Sequence, residues 1–194
     1  VDPKETLHRY LRRERESLLA KLDGLSERDV RWPMTPTGTN LLGLVKHTAS
    51  VEVGYFGEVF GRPSGLALPW FDEGAEINAD MWATADQSRD DIIELHHQAA
   101  AHADATIDAL SLDATGIVPW WAPERQHVTL HQILVHMSVE TARHAGHADI
   151  IRELLDGSAG NNDQNLPDQT AEEWVAYRRR LESAAVAAAA GTHS

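Results

Sequence analysis

Leu7, Tyr10, Leu11, Leu18, Leu19 and Leu22 recur at intervals of three and four, with charged residues between them and Gly24 after them. This spacing predicts a first amphipathic helix over residues 6 to 22. Pro33 and Pro36 interrupt any helix through 31 to 39, and Thr39 or Asn40 is a natural N-cap for a second helix over about 41 to 60. From 61 to 87 the periodicity breaks, with Pro63, Gly65, Pro69 and Gly74 set among Trp70, Phe71 and Trp82. A connection this long points to a functional loop or lid. Ile92, Ile93, Leu95, Ala99, Ile107 and Leu110 predict a third helix over about 88 to 110, followed by a loop holding Trp120, Trp121 and Pro123. The fourth helix, about 129 to 155, opens at Thr129, is lined by Ile133, Leu134, Met137, Ile150, Ile151 and Leu154, and closes at Gly157. A polar loop, 161 to 168, separates it from a C-terminal helical extension over about 170 to 188, in which Trp174, Tyr177 and Leu181 fall at helical spacing.

No segment alternates convincingly as a strand, and no repeat is present. Four main helices joined by short, long and medium connections predict an all-α, four-helix bundle of up-down-down-up topology. It has a long loop between helices two and three and an extra C-terminal helix. The 194 residues fit a single domain with its core at about 5 to 157.

Composition narrows the chemistry. With no cysteine, the chain has no disulfide, thiolate metal site, iron–sulfur cluster or cysteine nucleophile of its own, so any thiol chemistry needs a thiol cosubstrate. The formal charge of −13 repels nucleic-acid phosphates and anionic lipid. No apolar run approaches the roughly 20 residues that span a bilayer, and the first residues lack the apolar stretch of a signal peptide. The expectation is a soluble, cytoplasmic protein that binds neither nucleic acid nor membrane.

The candidate chemistry lies in histidines and one acid. His136, Glu140, His144 and His147 share a helical face about 80° wide, because residues four apart are one turn apart and point the same way. His136 and His147 are about 16 Å apart along the axis, so only a neighbouring pair can grip one ion, either His136 with Glu140 or Glu140 with His144. A third ligand from another helix, such as His47, would complete two imidazoles and a carboxylate, a set that leaves coordination positions open. The competing reading is structural: His47 as a hydrogen-bonded core residue, and Glu140 paired with Arg143 or a histidinium beside a wet groove. His96, His97 and His102 read as solvated surface, and His8 and His193, near the ends, carry little information. His127 and His131 border the fourth helix. Trp70, Trp120 and Trp121 are candidate walls of a substrate pocket, against the simpler role of pinning their loops. No phosphate-cradling glycine loop is present.

Two segments carry a resemblance. Thr35-Pro36-Thr37-Gly38-Thr39-Asn40-Leu41-Leu42-Gly43-Leu44-Val45-Lys46-His47 and the run from Leu134 to Ile150, through His136, Glu140, His144 and His147, resemble the DinB/YfiT-like superfamily of metalloproteins. They are most similar to its actinobacterial branch of mycothiol-dependent enzymes. The resemblance implies His47, Glu140 and His144 as metal ligands, with Glu140 where most of the superfamily has histidine. Beside that ligand pair, His136 or His147 would orient a ligand or relay a proton, and His147 is a candidate base. It also implies a divalent metal, zinc first with nickel or iron as alternatives, and a mycothiol-like thiol cosubstrate transferred to an electrophilic small molecule. The alternatives are a mycothiol-dependent isomerase, whose usual C-terminal domain is replaced here by a short tail, and a non-catalytic metal-binding stress protein. The same ligand set also serves non-haem iron oxygenases, usually on a β-barrel. Relatives often form homodimers through a helical face.

Overall fold

A computed structural model describes residues 2–160 and 166–191. The start of the polar loop, 161 to 165, and His193 lie outside the described residues. The chain divides into two compact units, residues 1–159 and 160–194. Six helices are described: α1 Pro3–Ala20, α2 Glu27–Arg31, α3 Leu41–Phe56, α4 Arg89–Ala109, α5 Leu130–Asp156 and α6 Ala171–Gly191. Two short strands, β1 Thr115–Ile117 and β2 His127–Thr129, pair antiparallel with Gly116 opposite Val128. The chain is thus mostly helical with a small sheet. Among the described residues no helix is long and apolar enough to cross a membrane.

Each helix starts where a side chain can satisfy its free amides. Asp2 accepts from the Lys4 amide and Pro3 opens α1. The Asn40 side chain accepts from the Gly43 amide, Ser88 and Asp91 form a reciprocal capping box, and Thr129 accepts from the Gln132 amide. Gly157 closes α5 at φ 82°, a left-handed conformation that glycine adopts without the Cβ penalty.

The second predicted helix is shorter than expected. It stops at Phe56, and Gly57 turns the chain into a 3₁₀ turn, Glu58–Phe60. The strands and α2 went unpredicted because three residues cannot display alternation and five cannot display a helical period.

In the first unit α1 packs on α5, and α3 packs on both α4 and α5. The buried apolar side chains form two large clusters. One contains Leu11, Phe56, Ile107, Leu130, Ile133 and Met137; the other contains Leu18, Leu44, Val45, Ile92, Ala145 and Ile151. Along three helices the polar positions fall between members of the two clusters: Arg15 on α1, His47 and Glu52 on α3, Glu140 and His144 on α5.

In this polar middle Arg15 bridges Glu52 and Asp104, and His8 Nε2 lies 2.7 Å from Asp104. His8 and His96 are both buried, which corrects the reading of His96 as solvated surface and gives His8 a structural role. Neither position is distinguishable from its local sequence, because burial here comes from the neighbouring helices.

The second unit contains α6. Thr170 and Glu173 cap it reciprocally, and the Trp174 and Tyr177 rings meet edge to face with centroids 5.8 Å apart.

Candidate metal centre

α3 carries His47 between the buried residues Lys46 and Thr48, and α5 carries Glu140 and His144 one turn apart. Their packing brings one ligand atom from each side chain within 4.8 Å of the others. Glu140 Oε1 is 3.5 Å from His47 Nε2 and 3.1 Å from His144 Nε2. The two rings meet edge to face with centroids 4.9 Å apart.

The fit to a cation can be judged from these spacings. Ligands about 2.0–2.1 Å from a tetrahedral ion are about 3.3–3.4 Å from one another. The distances of 3.1 and 3.5 Å straddle that value. Three donors leave the fourth position of such a site open. All three side chains are only partly exposed, so Glu140 gives up part of its hydration. It pairs with the two histidines rather than with Arg143.

The electrostatics suit ligation. Burial pushes the Glu140 carboxyl up, but the charge of His144, its hydrogen bond, and the hydrogen bond and charge of His47 together hold it below the usual carboxylate range. Burial lowers His144, and the neighbouring His47 charge lowers it further against the pull of Glu140, so the neutral, ligating ring is favoured. Burial likewise lowers His136.

The sequence reading missed a further participant. Asp80, from the long connection between α3 and α4, places Oδ2 2.6 Å from His47 Nδ1. The segment that carries it is tied down by its own main chain. Lys46 Nζ donates to the Ala79 carbonyl at 2.7 Å, the Trp82 carbonyl at 2.8 Å and Gln87 Oε1 at 3.0 Å. Asn40 donates to the Met81 carbonyl, and Arg31 to the carbonyls of Ala83, Thr84 and Gln87. Gly43 permits the close approach, since a Cβ there would lie 1.8 Å from the Met81 oxygen. Lys46, 2% exposed, is a buried cation with all three donors used; burial lowers its pKa against the opposing pull of Asp80.

The remaining expected site residues separate into groups. His147 is exposed, with its ring 5.4 Å from that of His144. His136, one turn before Glu140, packs instead against Tyr55 and Trp121, with centroids 4.8 and 5.1 Å away. Trp120 and Trp121 both donate to the Tyr55 hydroxyl, at 3.3 and 3.1 Å, and a Cβ at Gly54 would sit 3.3 Å from the Trp120 ring. Trp70 is held elsewhere: it donates to Ser50 Oγ at 3.0 Å, lies 4.1 Å from Lys46 Nζ, and lines a groove with Leu66, Gln87, Asp91 and Leu95. The three tryptophans therefore do not form one wall. Tyr55, which gathers two of them, gave no signal in the sequence beyond its place on the same helix as His47.

No curated protein matches the chain. The family model described as mycothiol S-transferase matches residues 6–157, a span that includes His47, Glu140, His144 and Asp80. With more than half its length matched, the chain belongs to the mycothiol S-transferase family.

Proposed function

We propose that this protein is a metal-dependent thiol S-transferase that joins a mycothiol-like thiol to an electrophilic small molecule. His47, Glu140 and His144 would hold a divalent cation, zinc first among the candidates, and would leave one position free for a ligand. We also read the four long helices of the first unit as an up-down-down-up bundle, supported by the packing of α1 on α5, α5 on α3 and α3 on α4.

The observation that carries the proposal is the convergence of two imidazoles and one carboxylate within 4.8 Å, in a chain without cysteine and in a mycothiol S-transferase family. When bound, the cation would supply Lewis acidity that favours an ionised thiol at neutral pH.

The chain's own groups would do the rest. His147, exposed beside His144, would take up the thiol proton on a ring nitrogen. The sulfur would then form a bond to the electrophilic carbon; the electron pair displaced from that carbon leaves with its departing group or, in an activated double bond, is the π pair, which shifts onto the activating group and takes back a proton. Trp120 and Trp121, fixed through Tyr55, would present aromatic surface to the reactants.

The test uses purified, zinc-loaded protein with mycothiol and a fluorogenic electrophile. The expected result is thiol-dependent conjugation that falls to the uncatalysed rate in metal-stripped protein and in His47→Ala. No rate above those controls would overturn the proposal. Elemental analysis of protein purified without added metal is expected to find zinc; iron accompanied by oxygen consumption would favour an oxygenase instead.

A further inference from the structure

We propose that Asp80 is a positioning residue for the cation, acting through His47: it fixes the ring so that Nε2 presents its lone pair to the site shared with Glu140 and His144. The inference rests on the metal-site reading above and adds a residue from outside the ligand-bearing helices.

The argument begins with the two imidazoles, which are not equivalent. His47 Nδ1 lies 2.6 Å from Asp80 Oδ2, with side chains only 17% and 15% exposed. A carboxylate can only accept, so Asp80 holds a ring proton on Nδ1, and Nε2, 3.5 Å from Glu140, would present its lone pair once a cation rather than a proton lies between them. A carboxylate behind a ligating histidine sets the tautomer and ring orientation and makes the ligating nitrogen more basic. His144 has no such partner, because its Nδ1 is buried without a hydrogen bond. Of the two rings, only that of His47 is held from behind.

Asp80 is itself held by neighbours whose hydrogen bonds go to main-chain oxygens rather than to its carboxylate, while that carboxylate helps to keep Lys46 charged. Lys46 grips the carbonyls of Ala79 and Trp82 on either side of it, and Asn40 grips that of Met81. Arg31 secures the chain farther along at Ala83, Thr84 and Gln87. The segment therefore keeps its main-chain tethers without the Asp80 side chain, and the carboxylate is free to serve His47. A positioning role and a loop-holding role thus predict different consequences of its removal.

The experiment compares unmutated protein, Asp80→Asn, Asp80→Ala and Asp80→Glu. Zinc affinity is read by competition with a chromophoric chelator, geometry by the visible spectrum of the cobalt-loaded protein, and the fold by thermal melting of the metal-free form. The expected result is zinc binding about 10- to 100-fold weaker in the Asn and Ala variants. The cobalt spectrum should shift, the metal-free protein should still melt cooperatively with only a modest drop in midpoint, and Glu should recover part of the affinity. Unaltered affinity and spectrum in both Asn and Ala would overturn the role of Asp80 while leaving the metal site intact. Loss of the metal-free fold in both would assign Asp80 to holding the loop, which also overturns it. Failure of the unmutated protein to take up either ion would overturn the metal-site reading itself.

Discussion

Arg15 is the residue on which the polar middle of the first unit depends. Its guanidinium is almost fully buried and reaches both Glu52 and Asp104, while Glu52 is equally buried. Removing one partner of such a pair strands the other charge in a poorly solvated place, at about 3–5 kcal/mol. Arg15→Met is expected to lose stability of that order in urea unfolding near neutral pH. Burial already raises the Glu52 carboxyl pKa against the opposing pull of Arg15, so without Arg15 it rises further. The loss should therefore shrink as pH falls and Glu52 takes up a proton. A loss that stays constant with pH would show that packing of the arginine stem, rather than charge, dominates. At this scale the sequence was informative only where spacing on one helix constrains geometry. Glu140 and His144 could be paired because a single helix carries both. Asp80 could not be singled out from Asp72, Glu73, Glu76 and Asp86 in the same connection, because only the folded path of the loop brings it to His47.

Among the elements, the helix ends were the most legible, since capping is chemistry between near neighbours. Thr129 and Gly157 bound α5 as expected, and Asn40, one of two candidates, caps α3. The two caps differ in consequence. Thr129 accepts from the Gln132 amide, and Thr129→Ala is expected to cost about 1 kcal/mol. Asn40 accepts from the Gly43 amide and also donates to Gly38 and Met81, so Asn40→Ala should cost about 2 kcal/mol. Paired thermal melts of the two variants check the difference, and equal losses would mean that the extra donors contribute nothing. The short elements were invisible for a related reason. α2, β1 and β2 are specified by contacts with distant parts of the chain and are too short to show any period.

For the molecule as a whole, the main consequence of a polar layer between two apolar clusters is sensitivity to acid. His96 is buried on α4 with Nδ1 lacking a partner; burial first, then the charges of Arg15 and His97, lower its pKa from 6.5 to about 4. Between those values the unfolded chain binds a proton that the folded chain refuses, so stability falls as pH drops through this window, and above it the group has no effect. The full difference corresponds to about 3 kcal/mol. His96→Leu should flatten the dependence of the urea midpoint on pH between about 4 and 6.5 relative to the unmutated protein, and an unchanged slope would remove His96 as its source. The helical class and the span of the first four long helices were legible at this scale because long periodic segments dominate the chain. The clustering of Arg15, Glu52, Asp104, His8 and His96 was not, since those residues come from three helices. The fastening of the segment before α4 has a different outcome. Lys46, Asn40 and Arg31 hold it almost wholly through peptide oxygens, which every amino acid supplies. Ala79 and Trp82, which lie outside the apolar clusters, can thus exchange their side chains without loosening the grip, and the same anchored backbone becomes an interchangeable panel on which new selectivity could be written.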